Sequence, residues 1–133
     1  MRATLIAGIF LLSSFTVFGT NDQSERWNSL WEKQAAQTAT WSGAFYEQRL
    51  IASHNTFWPG LYAKCAGAAK GAGIKAFKAV AVIDAKGNVS EFVVFSKDNA
   101  LSCFVEEMVG KQYPAPPVAP FHEGFEITLG RHD

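Results

Sequence analysis

The stretch FKAVAVID, Phe77 to Asp84, constrains the fold more than any other part of the chain. In an extended conformation Phe77, Ala79, Ala81 and Ile83 share one face, and Lys78, Val80, Val82 and Asp84 share the other. Both faces are largely apolar, so this strand belongs in the middle of its sheet. Ala85-Lys86-Gly87-Asn88 follows with turn chemistry, Gly87 and Asn88 being suited to positive φ, and Val89 to Ser96 returns as a second strand of a hairpin.

Beyond the hairpin, Asp98 or Asn99 is placed to cap a helix in which Leu101, Phe104, Val105 and Met108 form an apolar stripe. Gly110 and Pro114 stop it, and Pro114 to Pro120 makes a stiff extended connection. The last strand runs from about His122 to Leu129. There Glu123, Phe125, Ile127 and Leu129 alternate with His122, Gly124, Glu126 and Thr128, a mixed pattern that predicts an edge strand with one solvated side. The helix returns the chain so that this strand runs parallel to the second. In an antiparallel sheet it must then pair with the first, giving the order two, one, three. The expectation is an α+β fold with a small three-stranded antiparallel sheet packed with helices.

Ahead of the sheet the pattern is helical. Trp27, Leu30, Trp31, Gln34 and Thr38 follow one helix face, with Ser24 as N-cap. The Trp pair reads as core, a docking surface being the other reading. Trp41 and Gly43 interrupt, Ala44 to Ser53 resumes, and Trp58-Pro59-Gly60 breaks the chain and starts a further helix that carries Leu61, Tyr62 and Cys65. Gly67, Gly71 and Gly73 end it.

The first residues give an address. Met1-Arg2 is a short positive start, Leu5 to Leu12 is nearly all apolar, and Val17-Phe18-Gly19 offers a cleavage site after Gly19. A signal peptide over residues 1–19 and export to the periplasm follow as expectations, an uncleaved anchor being the rival. Residues 20–60 are then a helical extension packed on a domain of residues 61–133. Cys65 and Cys103 are the only cysteines. In an oxidising compartment an even count reads as a disulfide, whose closure contributes roughly 4 kcal/mol on the chain-entropy model.

Candidate chemistry is sparse. Twelve basic and twelve acidic residues cancel, so the basic excess that a phosphate backbone requires is missing. GAAKGAG lacks the P-loop lysine and hydroxyl and follows a helix. His54, His122 and His132 have no metal-ligand spacing. Glu106 and Glu107 diverge by about 100° around a helix and form no carboxylate pair. No nucleophile motif is present, and nothing calls for a metal or a cofactor.

Cys65 before the hairpin, AVIDAKGNVSEFVV with Gly87 in its turn, Cys103 in ALSCFVEEMV, the Tyr113-Pro114-Ala115-Pro116 step and the closing FEITL occur in an ordered set. Together they resemble the C-terminal domain of TonB and its relatives, in particular the cysteine-containing branch found in AgmX and PglI-like proteins, over about residues 61–129. The resemblance implies an α-β-β-α-β fold that binds an extended segment of a cell-envelope protein by strand addition, with Gly124, Phe125, Glu126, Ile127, Thr128 and Leu129 of the last strand as the contact. It implies no catalytic residue. The chain departs from TonB in lacking a long Pro-rich stretch and in having a cleavable start, and the segment from Ser24 to Trp58 lies outside the likeness. An immunity or inhibitor protein acting on a periplasmic toxin or hydrolase is the alternative function.

Overall fold

A computed structural model of the chain describes residues 21–96 and 98–130. The expected signal peptide, its cleavage site and His132 lie outside the described residues. The elements are α1 (Asn21–Thr38), α2 (Trp41–Gly71), β1 (Ala76–Ile83), β2 (Val89–Val94), a 3-10 turn (Asn99–Leu101) leading into α3 (Ser102–Met108), and β3 (Phe121–Thr128). The sheet is antiparallel with order β2-β1-β3, and β1 is the central strand that its two apolar faces demanded. The fold is α+β, and α2-β1-β2-α3-β3 follows the α-β-β-α-β order.

Three layers result. Tyr46, Leu50, Leu61, Cys65, Ala66 and Ala69 of α2 and Phe104 and Met108 of α3 pack on the face carrying Phe77, Ala79, Ala81, Ile83, Phe121 and Ile127. The opposite face meets α1, whose Trp27 and Leu30 are buried along with Val80. Trp27 thus belongs to a core, a smaller one behind the sheet, where it stacks on Trp31 at 5.0 Å and meets Phe95 at 4.6 Å. Cys65 and Cys103 form a disulfide that ties α2 to α3 across a Cα separation of 5.4 Å.

Several local expectations are corrected. Trp41 opens a helix instead of interrupting one: Thr40 is the N-cap, accepting from Gly43 N at 3.0 Å through its hydroxyl. That helix continues through Pro59, where a break was expected, so residues on both sides of position 60 belong to one element. Proline in a helix interior removes a hydrogen bond at a cost of ~3 kcal/mol. Here the cost is met by burial before and after it, of Tyr46 and Leu50 on one side and Leu61 and Cys65 on the other. In the hairpin only Gly87 takes positive φ, at 91°; Asn88 does not. Asp84 explains why, since its Oδ1 accepts from both Lys86 N and Asn88 N at 2.9 Å and closes the turn without it. Ser24 lies within the first turn of α1, which is already helical at Asn21. Asp98 is the cap before α3, accepting from Ala100 N at 2.9 Å. Finally, the expected solvated side of β3 holds only for its second half: Glu126 and Thr128 are exposed, whereas α1 covers His122 and part of Gly124 on the same face.

Candidate functional site at the sheet edges

Backbone parity decides what an edge offers. Leu129 N donates to Lys75 O at 2.8 Å, so Leu129 and alternate residues before it face β1. His122, Gly124, Glu126 and Thr128 therefore turn their N–H and C=O groups outward. Gln37 occupies the start of this edge: its Oε1 accepts from His122 N at 2.8 Å and its Nε2 donates to Pro120 O at 3.1 Å. One side-chain amide thus does what a residue of a parallel neighbouring strand would do. Gln34 lies over Gly124, within 2.6 Å of where a Cβ would stand. The open part of this edge is Glu126 to Thr128, where Glu126 pairs with Lys78 at 3.6 Å.

Of the six expected contact residues, then, Glu126 and Thr128 are exposed and outward, and Gly124 is half covered. Phe125 packs inward on His54 at 5.1 Å and Phe92 at 6.0 Å, and Ile127 and Leu129 are core.

The other edge has a different shape. Phe95 N donates to Lys78 O at 3.0 Å, so Phe92 and Val94 face away from β1. Near its start this edge is occupied, Val89 exchanging hydrogen bonds of 2.9 Å with Lys111 O and Gly110 N. From Phe92 onward it floors a groove of about 470 Å³. Gln23, Arg26 and Trp27 of α1 wall it on one side and Val105 of α3 on the other. Arg26 pairs with Glu91, and Trp27 Nε1 is buried with no hydrogen-bond partner among the described residues. Sequence reading identified β2 as an edge but not this groove, because the position of α1 behind the sheet has no local signal.

Under α2 lies a buried polar cluster. His54 Nδ1 and Tyr113 Oη are 2.8 Å apart, and the ring of His54 stacks on Trp58 at 4.8 Å. Burial lowers the His54 pKa to about 4, which keeps the imidazole neutral. Tyr46 donates to Pro114 O at 2.7 Å, and burial pushes its phenol up to about 12. Glu123 is 4% exposed and has an unpartnered Oε2; burial first, then a hydrogen bond and like charge from Glu47, raise it to about 9. At neutral pH the Glu123 carboxyl is therefore protonated. None of His54, Tyr113 and Glu123 lines the groove beside β2.

A third surface is apolar and open. Trp41 is 92% and Phe45 68% exposed; with Arg49, Ala115 and Pro117 they line a shallow depression of about 450 Å³. Among the described residues no cluster of His, Cys, Asp or Glu has the arrangement of a metal site, and no helix is long and apolar enough to cross a membrane. Comparison of the chain with family models, curated proteins and solved structures found no match in any of the three.

Proposed function

We propose that this chain is a non-enzymatic, TonB C-terminal-like binding module of the bacterial periplasm that engages an extended segment of a cell-envelope protein by strand addition. The observation that carries the reading is the state of the sheet edges: Phe92 and Val94 on β2, and Glu126 and Thr128 on β3, turn main-chain donors and acceptors away from β1. Such groups are a template for another strand. The disulfide supports an oxidising compartment.

The test uses the mature protein, from Thr20, to crosslink and identify a segment of an envelope partner, which is then synthesised. N-methylation of alternate backbone amides in that peptide should weaken binding at least tenfold, because strand addition depends on main-chain hydrogen bonds. Equal binding by the methylated peptide would overturn the mechanism.

A second reading, an immunity or inhibitor protein for a periplasmic toxin or hydrolase, is favoured by the exposed Trp41 and Phe45. Aromatic residues on an open apolar patch are the usual anchors of a protein interface. Loss of partner capture on replacing Trp41 and Phe45 by serine, with N-methylation of the partner without effect, would select this reading.

A further inference from the structure

We infer that the edge used is β2, and that its groove takes an extended, uncharged segment in which apolar residues alternate with small neutral polar ones. This rests on the strand-addition reading and deepens it by naming the edge and the chemistry of the occupant.

The two edges differ in what surrounds their open backbone. At β3 the open residues Glu126 and Thr128 are exposed. The nearest cavity, about 370 Å³, is lined by Ala76, Phe77, Lys78 and Phe95 as well and crosses the strands instead of following the edge. At β2 the open residues lie at the bottom of a groove with a helix on each face of the sheet. A strand laid there along about four to five residues, at ~3.3 Å each, would place alternate side chains against both walls.

Chemistry then specifies the segment. Phe92 and Val94 lie on the face of the sheet shared with Ala81 and Ala79, their register partners, and Val105 continues that wall. Side chains pointing that way meet Phe92, Val94 and Val105, with Ser96 at the end of the groove, so valine, isoleucine or leucine fits and a carboxylate would be desolvated without a cationic partner. On the α1 side the charged groups lining the groove, among the described residues, are Arg26 and Glu91, and they neutralise each other. Charge complementarity therefore asks for a neutral segment. The rest of that wall is Gln23, Ser24 and Trp27, which bring no further charge. A small neutral polar side chain such as serine or threonine fits facing α1, where a charge would find no unpaired counter-ion among the described residues.

The probe is a capped nine-residue peptide whose central five residues alternate valine and threonine, with lysine at both ends for solubility. Titration of the mature, oxidised protein should slow amide exchange at Phe92 and Val94 at least tenfold, and aspartate in place of the valines should weaken binding at least tenfold. Val94→Pro removes one outward N–H without touching the β1 ladder and should cost tenfold in affinity, while Glu126→Pro should leave it unchanged. Val105→Thr, which makes the wall polar at nearly constant volume, should reproduce part of the loss if Val94→Pro fails to fold by circular dichroism, and Val105→Asp all of it where that variant folds by the same measure.

If Glu126→Pro abolishes binding and Val94→Pro or Val105→Asp does not, strand addition stands and the assignment to β2 is overturned. A peptide that binds equally well after N-methylation overturns strand addition itself. No binding of the probe, or binding unaffected by aspartate, overturns the stated chemistry. Protection of Phe92 and Val94 that rises with protein concentration without peptide would make a second copy the occupant and overturn the inference.

Discussion

Gln37 and His122 meet twice: Oε1 of Gln37 accepts from the backbone N–H of His122 at 2.8 Å and from its ring Nδ1 at 2.7 Å. The ring proton therefore sits on Nδ1, in keeping with the lowered pKa that burial imposes on this histidine. The pair fastens α1 to the outer edge of β3 and closes the beginning of that edge to any other strand.

Gln37→Ala should destabilise the protein by ~1–3 kcal/mol, because His122 is buried and would lose the acceptor for its N–H. The melting temperature should fall, and amide exchange at His122 should accelerate more than at residues paired to β1. Unchanged exchange at His122 would mean that the contact does not hold the edge in solution.

Two glycines should respond differently to alanine. A Cβ at Gly87 would run into the backbone carbonyl of Tyr113, and φ there is 91°, so Gly87→Ala should cost at least ~2 kcal/mol. At Gly124 the obstacle is the Gln34 side chain, which can rotate, and the cost should stay near ~1 kcal/mol or below. Chemical denaturation of both variants checks the order; a reversed order would contradict the packing of the 110–114 segment on the hairpin turn.

Cys103→Ala should lower stability by ~2–5 kcal/mol, since the bridge closes a separation of 38 residues between α2 and α3. The difference should disappear when both proteins are melted under reducing conditions. Intact mass of periplasmic material should further show a chain starting near Thr20 and lacking two hydrogens; two alkylatable thiols would contradict it.

The buried cluster predicts a pH profile. In the unfolded chain His54 takes a proton below its ordinary value of 6.5, whereas in the folded protein it stays neutral to about 4, so stability rises with pH between those values. Glu123 acts in the opposite sense: unfolded it ionises above 4.5, folded it stays protonated to about 9, so stability falls with rising pH across that window. The two nearly offset each other from 4.5 to 6.5, and above 6.5 the Glu123 decline stands alone. Melting temperature should therefore drop between pH 6.5 and 9 in the wild type and stay flatter in Glu123→Gln. Parallel curves would show that Glu123 does not titrate as its surroundings dictate.

What the sequence alone determined was whatever depends on the near neighbours of each residue. The alternation of FKAVAVID placed β1 in the centre, AKGN marked the turn, Asp98 capped the approach to α3, and the even cysteine pair, read as belonging to an oxidising compartment, predicted the disulfide that is present. Glu123 was likewise on the side of Phe125 and Ile127, although only the structure shows that α2 buries it beside Glu47. Tertiary structure decided the rest, because packing between distant segments outweighs local preference. Pro59 sits inside α2 because buried residues on both sides hold the helix together. The first half of the β3 face that looked solvated is covered because α1, 83 to 85 positions earlier in the chain, supplies Gln37 as an edge partner, while Glu126 and Thr128 stay exposed as the alternation predicted. The groove beside β2 exists for the same reason: Trp27 and Val105 approach the strand from opposite faces, and neither position can be inferred from the residues of β2 itself.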